Sequence, residues 1–350
     1  CHRGPAGPEM VVLLNVDLLR ADRVGLLSDQ PSLTPNIDAF FAPGIVFLDA
    51  MSPSSATYVS ATAIATGTEA AFNDHELSMQ WRHGGGPSIG QVLERDGARA
   101  VDRLPTLAQT ASAAGYRTVA LNDFLHSGRE VNLDRGYAEY HDVTSPVLER
   151  PEGVWTVEDQ FGLLRSRLQP RGPVFAYIHP NTLHFPLRLV LDGSDRELAD
   201  AMAAAPGLVD PKPDFVEIEP NVNQGDRFDP RLGPWEGPLT DAERRLLELS
   251  YDRVVQRIDR ALGPLLRELA ERDALVVLYA NHGIGLGAHG LNTVGVPWQE
   301  AVHVPLLVRL PGGGPGLRIA TPVSLVDLAP TLHEWLKLPP SPWHAGTSLT

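Results

Sequence analysis

Six short runs of branched apolar residues constrain how this chain can fold. They are VVLLNV (11–16), IVFLDA (45–50), TVAL (118–121), VFAYIH (174–179), LVVLYA (275–280) and VPLLVRL (304–310). Each is too short for a helix and too continuously apolar for a strand with one wet face, so each reads as a buried strand. Helical patterns lie between them. LPTLAQTASAAGYR enters at Pro105 and stops at Gly115. Within 241–271, Leu247, Tyr251, Val255, Ile258, Leu262, Leu265 and Leu269 keep a three/four spacing with charges between. Strand–helix alternation of this kind predicts a layered α/β fold, with helices on both faces of a mostly parallel sheet. No internal repeat is evident. Residues 192–240 are different: rich in Pro, Asp and Gly and weakly periodic, they read as a surface insertion or lid. PGGGPG (311–316) reads as a turn.

In doubly wound folds, sites form beyond the carboxyl ends of the strands. Asp17 follows the first run, His179 ends the fourth and His184 lies just beyond it, and Asn281 and His282 follow the fifth. Beyond the second run comes SSATYVSATAIATG (54–67), with five Ser/Thr hydroxyls before a Thr-Gly helix stop. Carboxylate, imidazole, carboxamide and hydroxyl groups are thus delivered to one edge of the sheet. An oxygen-rich set with imidazole suits a hard or borderline divalent cation, with Ca²⁺, Mg²⁺, Mn²⁺ and Zn²⁺ all compatible. Such a cation lowers the pKa of a bound hydroxyl, and the helix expected after Thr57 would point its N-terminal amides at an anionic centre. The set suits displacement at phosphorus or sulfur.

The formal net charge of −14 argues against nucleic-acid binding and against a bare anionic membrane. No apolar run approaches the roughly 20 residues of a membrane span. Cys1 is the single cysteine, which excludes an intrachain disulfide and a Cys-rich zinc site. Two readings of a chain starting at Cys1 are a trimmed boundary and a lipoprotein cut before its lipidated Cys. On the second reading residues 1–10 are a tether, the location is periplasmic or extracellular, and the lipid is the sole membrane contact.

At the level of motifs, VVLLNVDLLRADRVG, TPNIDAFFAPGIVFLDAMSPSS, LPTLAQTASAAGYRTVAL, NLDRGYAEYHDV, VFAYIHPNTLHFP, VVLYANHGIGLGAHG, HVPLLVRLPG and PVSLVDLAPTLHEWL occur in order. Together they resemble the sulfatase branch of the alkaline phosphatase superfamily. The resemblance implies an alkaline-phosphatase-like three-layer α/β/α sandwich over residues 11–350 and a sulfuric or phosphoric ester hydrolase or transferase. It implies one divalent metal ion held by Asp17, Thr57, Asn281 and His282, with His179 and His184 contacting the leaving group or the anionic oxygens. The implied substrate is a small anionic ester, or an ester on a glycan or lipid headgroup.

Most sulfatases carry C-x-P-x-R, whose first residue becomes formylglycine. Counting back from Thr66-Gly67, that position is Thr57 in TYVSA, with Ala61 where the Arg would stand. The resemblance therefore implies no formylglycine. It implies a Thr57 nucleophile, as in the phosphodiesterase, phosphonate hydrolase and phosphoethanolamine transferase branches, with Ser60 as the lesser candidate. Leu18 replaces the second acid of the first motif, Asn281 the usual Asp, and Val294 the usual His or Lys; His289 reads as a supporting residue. Asn281, Ala61 and Val294 keep a second reading open, a degenerate member that binds without turnover. A Ser-His-Asp hydrolase is a third, with little support: GPSIG (86–90) matches G-x-S-x-G but follows none of the strand-like runs.

Overall fold

The computed structural model describes residues 5–69, 104–124, 127–143, 155–169, 172–191, 193–218, 239–288, 298–314 and 316–350. Residues 1–4, His289, Val294 and residues 219–238 lie outside them.

All six apolar runs are strands of one sheet. They are β1 (Met10–Asn15), β2 (Ile45–Met51), β3 (Arg117–Asn122), β5 (Val174–His179), β9 (Leu275–Tyr279) and β10 (His303–Arg309), joined by β4 (Glu139–Asp142), β11 (Leu317–Ile319) and β12 (Val323–Ser324). The order is β11-β2-β10-β9-β1-β5-β3-β4, with β12 alongside β2. Only β10 runs antiparallel, to both β2 and β9. The strands missing from the sequence reading are short or polar for a reason. Strands β4 and β11 sit at the two sheet edges, where one flank has no partner strand and a continuous apolar run is not needed.

Helices cover both faces, giving an α/β/α sandwich. On one face α1 (Pro35–Phe41), α4 (Val157–Leu168) and α5 (Arg196–Ala204) pack against the long α6 (Asp241–Glu271). On the other, α2 (Thr57–Thr66) packs against α3 (Leu107–Ala113) and the terminal α8 (Leu328–Trp335), while α7 (Gln299–Val302) is a single turn before β10. Helix α6 starts at a capping box made by Thr240 and Glu243. Its predicted stripe is buried, from Leu247 through Tyr251 to Leu269. The stretch 193–218 is less formless than its composition suggests. It holds α5 and the strands β7 (Val209–Pro211) and β8 (Val216–Ile218), which join β6 (Leu187–Leu189) in a small antiparallel sheet beside α6.

At the chain's end, Ala345 N–H donates to Gly67 O at 2.7 Å, tying the tail to the left-handed cap of α2. Beside it His344 meets His333 edge-on, ring centroids 4.5 Å apart. Burial, then the charge of His333, holds His344 down at about 4, from an ordinary 6.5. The unfolded chain therefore binds a proton between these values that the folded chain refuses. This contribution to stability is complete above pH 6.5 and is lost as pH falls toward 4. Denaturant titrations across this window should show a declining midpoint, flatter in His344→Gln.

Candidate functional site

Strands β9, β1 and β5 are neighbours, and their carboxyl ends carry the predicted groups. The register pairs Asn15 with Tyr279 and Leu14 with Ile178, so Asp17, Asn281 and His179 emerge at nearly one level. Strand β1 is where the sheet order reverses, the place where such folds leave a crevice. Thr57 reaches it from β2 through residues 52–56 and occupies the first position of α2, at the positive end of the helix dipole.

The chain turns sharply after β1. Leu18 is fully buried at φ 63°, a left-handed conformation uncommon for a branched side chain. Tyr251 of α6 holds it: its hydroxyl donates to Leu18 O at 2.7 Å and accepts from Arg20 N–H at 3.0 Å. That turn aims the Asp17 carboxylate at two imidazoles. Oδ2 lies 3.5 Å from His179 Nε2 and Oδ1 3.8 Å from His282 Nε2. Burial pushes the Asp17 carboxyl up, but the surrounding imidazoles in their protonated forms, His179 first, then His282 and His184, outweigh it and hold the group at about 2.

Behind Asp17, Asn15 Oδ1 accepts the Asn281 N–H at 3.0 Å, and Asn15 Nδ2–H donates to the Tyr177 hydroxyl at 3.1 Å. Ser52 Oγ lies against the carbonyls of Ser54 and Asn281, fastening the approach to α2 onto the β9 loop. Gly283 N–H donates to Ala301 O at 2.8 Å, and a Cβ at Gly283 would stand 2.2 Å from Glu300 O. Only glycine lets the loop approach α7 this closely.

The tautomer of His282 is set by its partners. A backbone carbonyl only accepts, so Nδ1–H donates to Gly283 O at 2.8 Å. Burial, the largest influence, pulls the imidazole below its ordinary value despite Asp17. In the neutral ring Nε2 carries the lone pair, and it accepts from the Thr57 hydroxyl at 2.8 Å. Asp17, Thr57 and His282 thus form one contiguous set. His184 is anchored to its own loop, Nδ1–H donating to Phe185 O at 3.0 Å, and its charge acts on Asp17. Ser60 turns away, its hydroxyl donating to the carbonyls of Ala56 or Thr57.

A cation fits this set on a specific observation. Both Asp17 carboxylate oxygens and the Asn281 side-chain oxygen are buried with no hydrogen-bond partner. Electron-rich atoms so placed are costly unless something positive meets them. Among the described residues no group of three His, Cys, Asp or Glu is gathered for a metal. The set instead mixes one carboxylate with an amide, a hydroxyl and an imidazole. Reading the sequence missed Tyr251, Ser52, Asn15 and the hydrogen-bonded pair Ser127–Asn122 behind His179. Asn122 ends its strand as His179 does, so the strand-end rule could have found it.

The sulfatase family model matches residues 9–338. A sulfatase of Formosa agariphila is 23% identical over 341 residues, covering 86% of this chain and 64% of its own length, so the chain spans under two thirds of that relative. Among solved structures, a protein in complex with its substrate D-glucosamine-2-N,6-O-disulfate superposes with TM-score 0.69 at 15% identity, covering 99% of this chain and 79% of the other. The phosphonate monoester hydrolase of Agrobacterium radiobacter superposes with TM-score 0.64 at 18% identity, covering 97% and 76%. Among the described residues no helix is long and apolar enough to cross a membrane.

Proposed function

The chain belongs to the sulfatase family, and from that premise we propose that it cleaves or transfers a sulfate or phosphate ester with Thr57 as nucleophile. The observation that carries this is the Thr57 hydroxyl at 2.8 Å from a neutral, Nδ1-anchored His282, beside a buried carboxylate with no hydrogen-bond partner. Asp17, Thr57, Asn281 and His282 would hold one divalent ion. When bound, it supplies a positive charge that favours the Thr57 alkoxide and draws charge from the ester oxygens. For attack, the Thr57 hydroxyl gives its proton to water. A bond forms from Oγ to phosphorus or sulfur, and the bond to the departing alcohol oxygen breaks as that oxygen takes up a proton from water. Water then frees Thr57 in a hydrolase, or an acceptor alcohol does so in a transferase. The start of α2 adds backbone dipoles where the equatorial oxygens gather charge.

Formylglycine has no part in this reading, since Thr57 cannot become an aldehyde. The substrate is a small anionic ester or one carried on a glycan or lipid headgroup, in keeping with the sugar disulfate substrate of one structural neighbour and with another's being a phosphonate monoester hydrolase. A periplasmic or extracellular location is part of this proposal. A second reading, binding without turnover, draws on one observation: Asn281 brings no charge where the family usually brings an Asp. Turnover of aryl sulfate, aryl phosphate and aryl phosphonate esters, measured after chelation and after return of Ca²⁺, Mg²⁺, Mn²⁺ or Zn²⁺, tests both. Metal-dependent turnover of any ester supports the enzyme. Metal binding with no turnover supports the binding module.

A further inference from the structure

His179 is fully buried, and its two ring nitrogens have very different surroundings. Nε2 has no hydrogen-bond partner and faces Asp17 Oδ2 at 3.5 Å. Nδ1 lies 2.8 Å from Ser127 Oγ, which lies 2.8 Å from Asn122 Oδ1 and 3.1 Å from Phe124 O. Asn122 Nδ2 lies 2.6 Å from the same Phe124 carbonyl.

The proton positions in this chain are forced. Phe124 O is a backbone carbonyl and only accepts, so Asn122 must turn its NH₂ toward it. The Asn122 side-chain oxygen therefore faces Ser127, and it too only accepts. Ser127 owns one proton. Were that proton given to His179, bare lone pairs of Oγ would face the Asn122 oxygen at 2.8 Å and the Phe124 carbonyl as well. The proton must go to one of those two oxygens, so the Nδ1–H of His179 donates to Ser127. In the neutral ring Nε2 then carries a lone pair, 3.5 Å from an unpartnered carboxylate oxygen.

We infer that Ser127 and Asn122 are positioning residues that lock His179 as its Nδ1–H tautomer, making Nε2 an electron-pair donor toward the cation beside Asp17. A neutral Nε2 has no proton to offer an anionic oxygen, so His179 serves the positive partner of the site and not the ester oxygens. The lock stands on hydrogen bonding alone; the role toward a cation rests on the proposed metal site. Relays of this kind, in which the far nitrogen of a histidine is fixed by a polar neighbour, set ring orientation and ligand strength at metal sites.

The test uses the full chain labelled with ¹⁵N at histidine, under mildly alkaline conditions, with His179→Gln assigning the ring signals. The wild type should show His179 protonated at Nδ1 alone. Ser127→Ala should shift the ring toward the Nε2–H form and weaken Mn²⁺ and Zn²⁺ binding roughly tenfold, with a melting transition that is lower but still cooperative. Ser127→Thr, which keeps the hydroxyl, should restore both. An Nε2–H ring in the wild type, or no tautomer change in Ser127→Ala, overturns the relay. Cation affinity unchanged in His179→Gln overturns the donor role. A wild type that binds no divalent cation sinks the metal reading and the donor role with it, while the tautomer spectra still decide the relay.

Discussion

Thr57→Ala should lower turnover of whichever ester the protein accepts by three or more orders of magnitude, the rough size expected when a nucleophile is lost. The fold should survive. Alanine is a good helix former at the start of α2, and the deleted atoms make one side-chain hydrogen bond, to His282. Leaving the buried His282 Nε2 without a donor costs about 1–3 kcal/mol, so the variant should melt lower yet remain cooperative. Two companions separate chemistry from packing. Thr57→Ser keeps the oxygen and should retain measurable turnover. Ser60→Ala removes a hydroxyl that only reaches backbone carbonyls one turn behind it, and should leave turnover near the parent's. Steady-state rates on the best ester from the panel decide this. Full activity in Thr57→Ala would show that another group attacks.

Much of this was legible in the chain because buried parallel strands leave an unbroken apolar signature, and because the residues just past such a strand are held at the sheet's carboxyl edge. Asp17, His179, Asn281 and His282 were found that way. The parts that stayed hidden did so for physical reasons. Strand β4 reads EYHD and lies at the sheet edge, so no apolar run marks it. The small sheet of β6, β7 and β8 is built from three-residue strands, below the length at which alternation can be seen. The left-handed turn at Leu18 leaves no trace in sequence, since a leucine there looks like any core residue. Its support, Tyr251, was legible only as one member of a helical stripe. The Ser127–Asn122 chain depends on contacts across 52 and 57 residues to His179, and no spacing rule reports those.

Asn281→Asp should tighten divalent-cation binding by about ten- to a hundredfold. Of the side chains proposed to hold the ion, His179 included, only Asp17 carries a formal charge, and the Asn281 oxygen is buried with no hydrogen-bond partner. Two unit charges about 4 Å apart interact by about 4 kcal/mol at an effective dielectric near 20. Part of that is taken back by desolvation, and part by repulsion between two buried carboxylates before the ion arrives. The remainder, about 1.4–2.7 kcal/mol, corresponds to the stated range. The same repulsion gives a second signature. Without metal the variant should melt below its parent, and added metal should raise its melting temperature by more. Calorimetric titration with Ca²⁺, Mg²⁺, Mn²⁺ and Zn²⁺ on both proteins, paired with melting curves, reads both effects. If turnover at low metal rises together with affinity, the unmodified chain is an enzyme with a weak metal site. If affinity rises and turnover stays at zero, the binding module is the better description. Affinity that is tight in the parent and unchanged in the variant would remove Asn281 from the set that holds the ion.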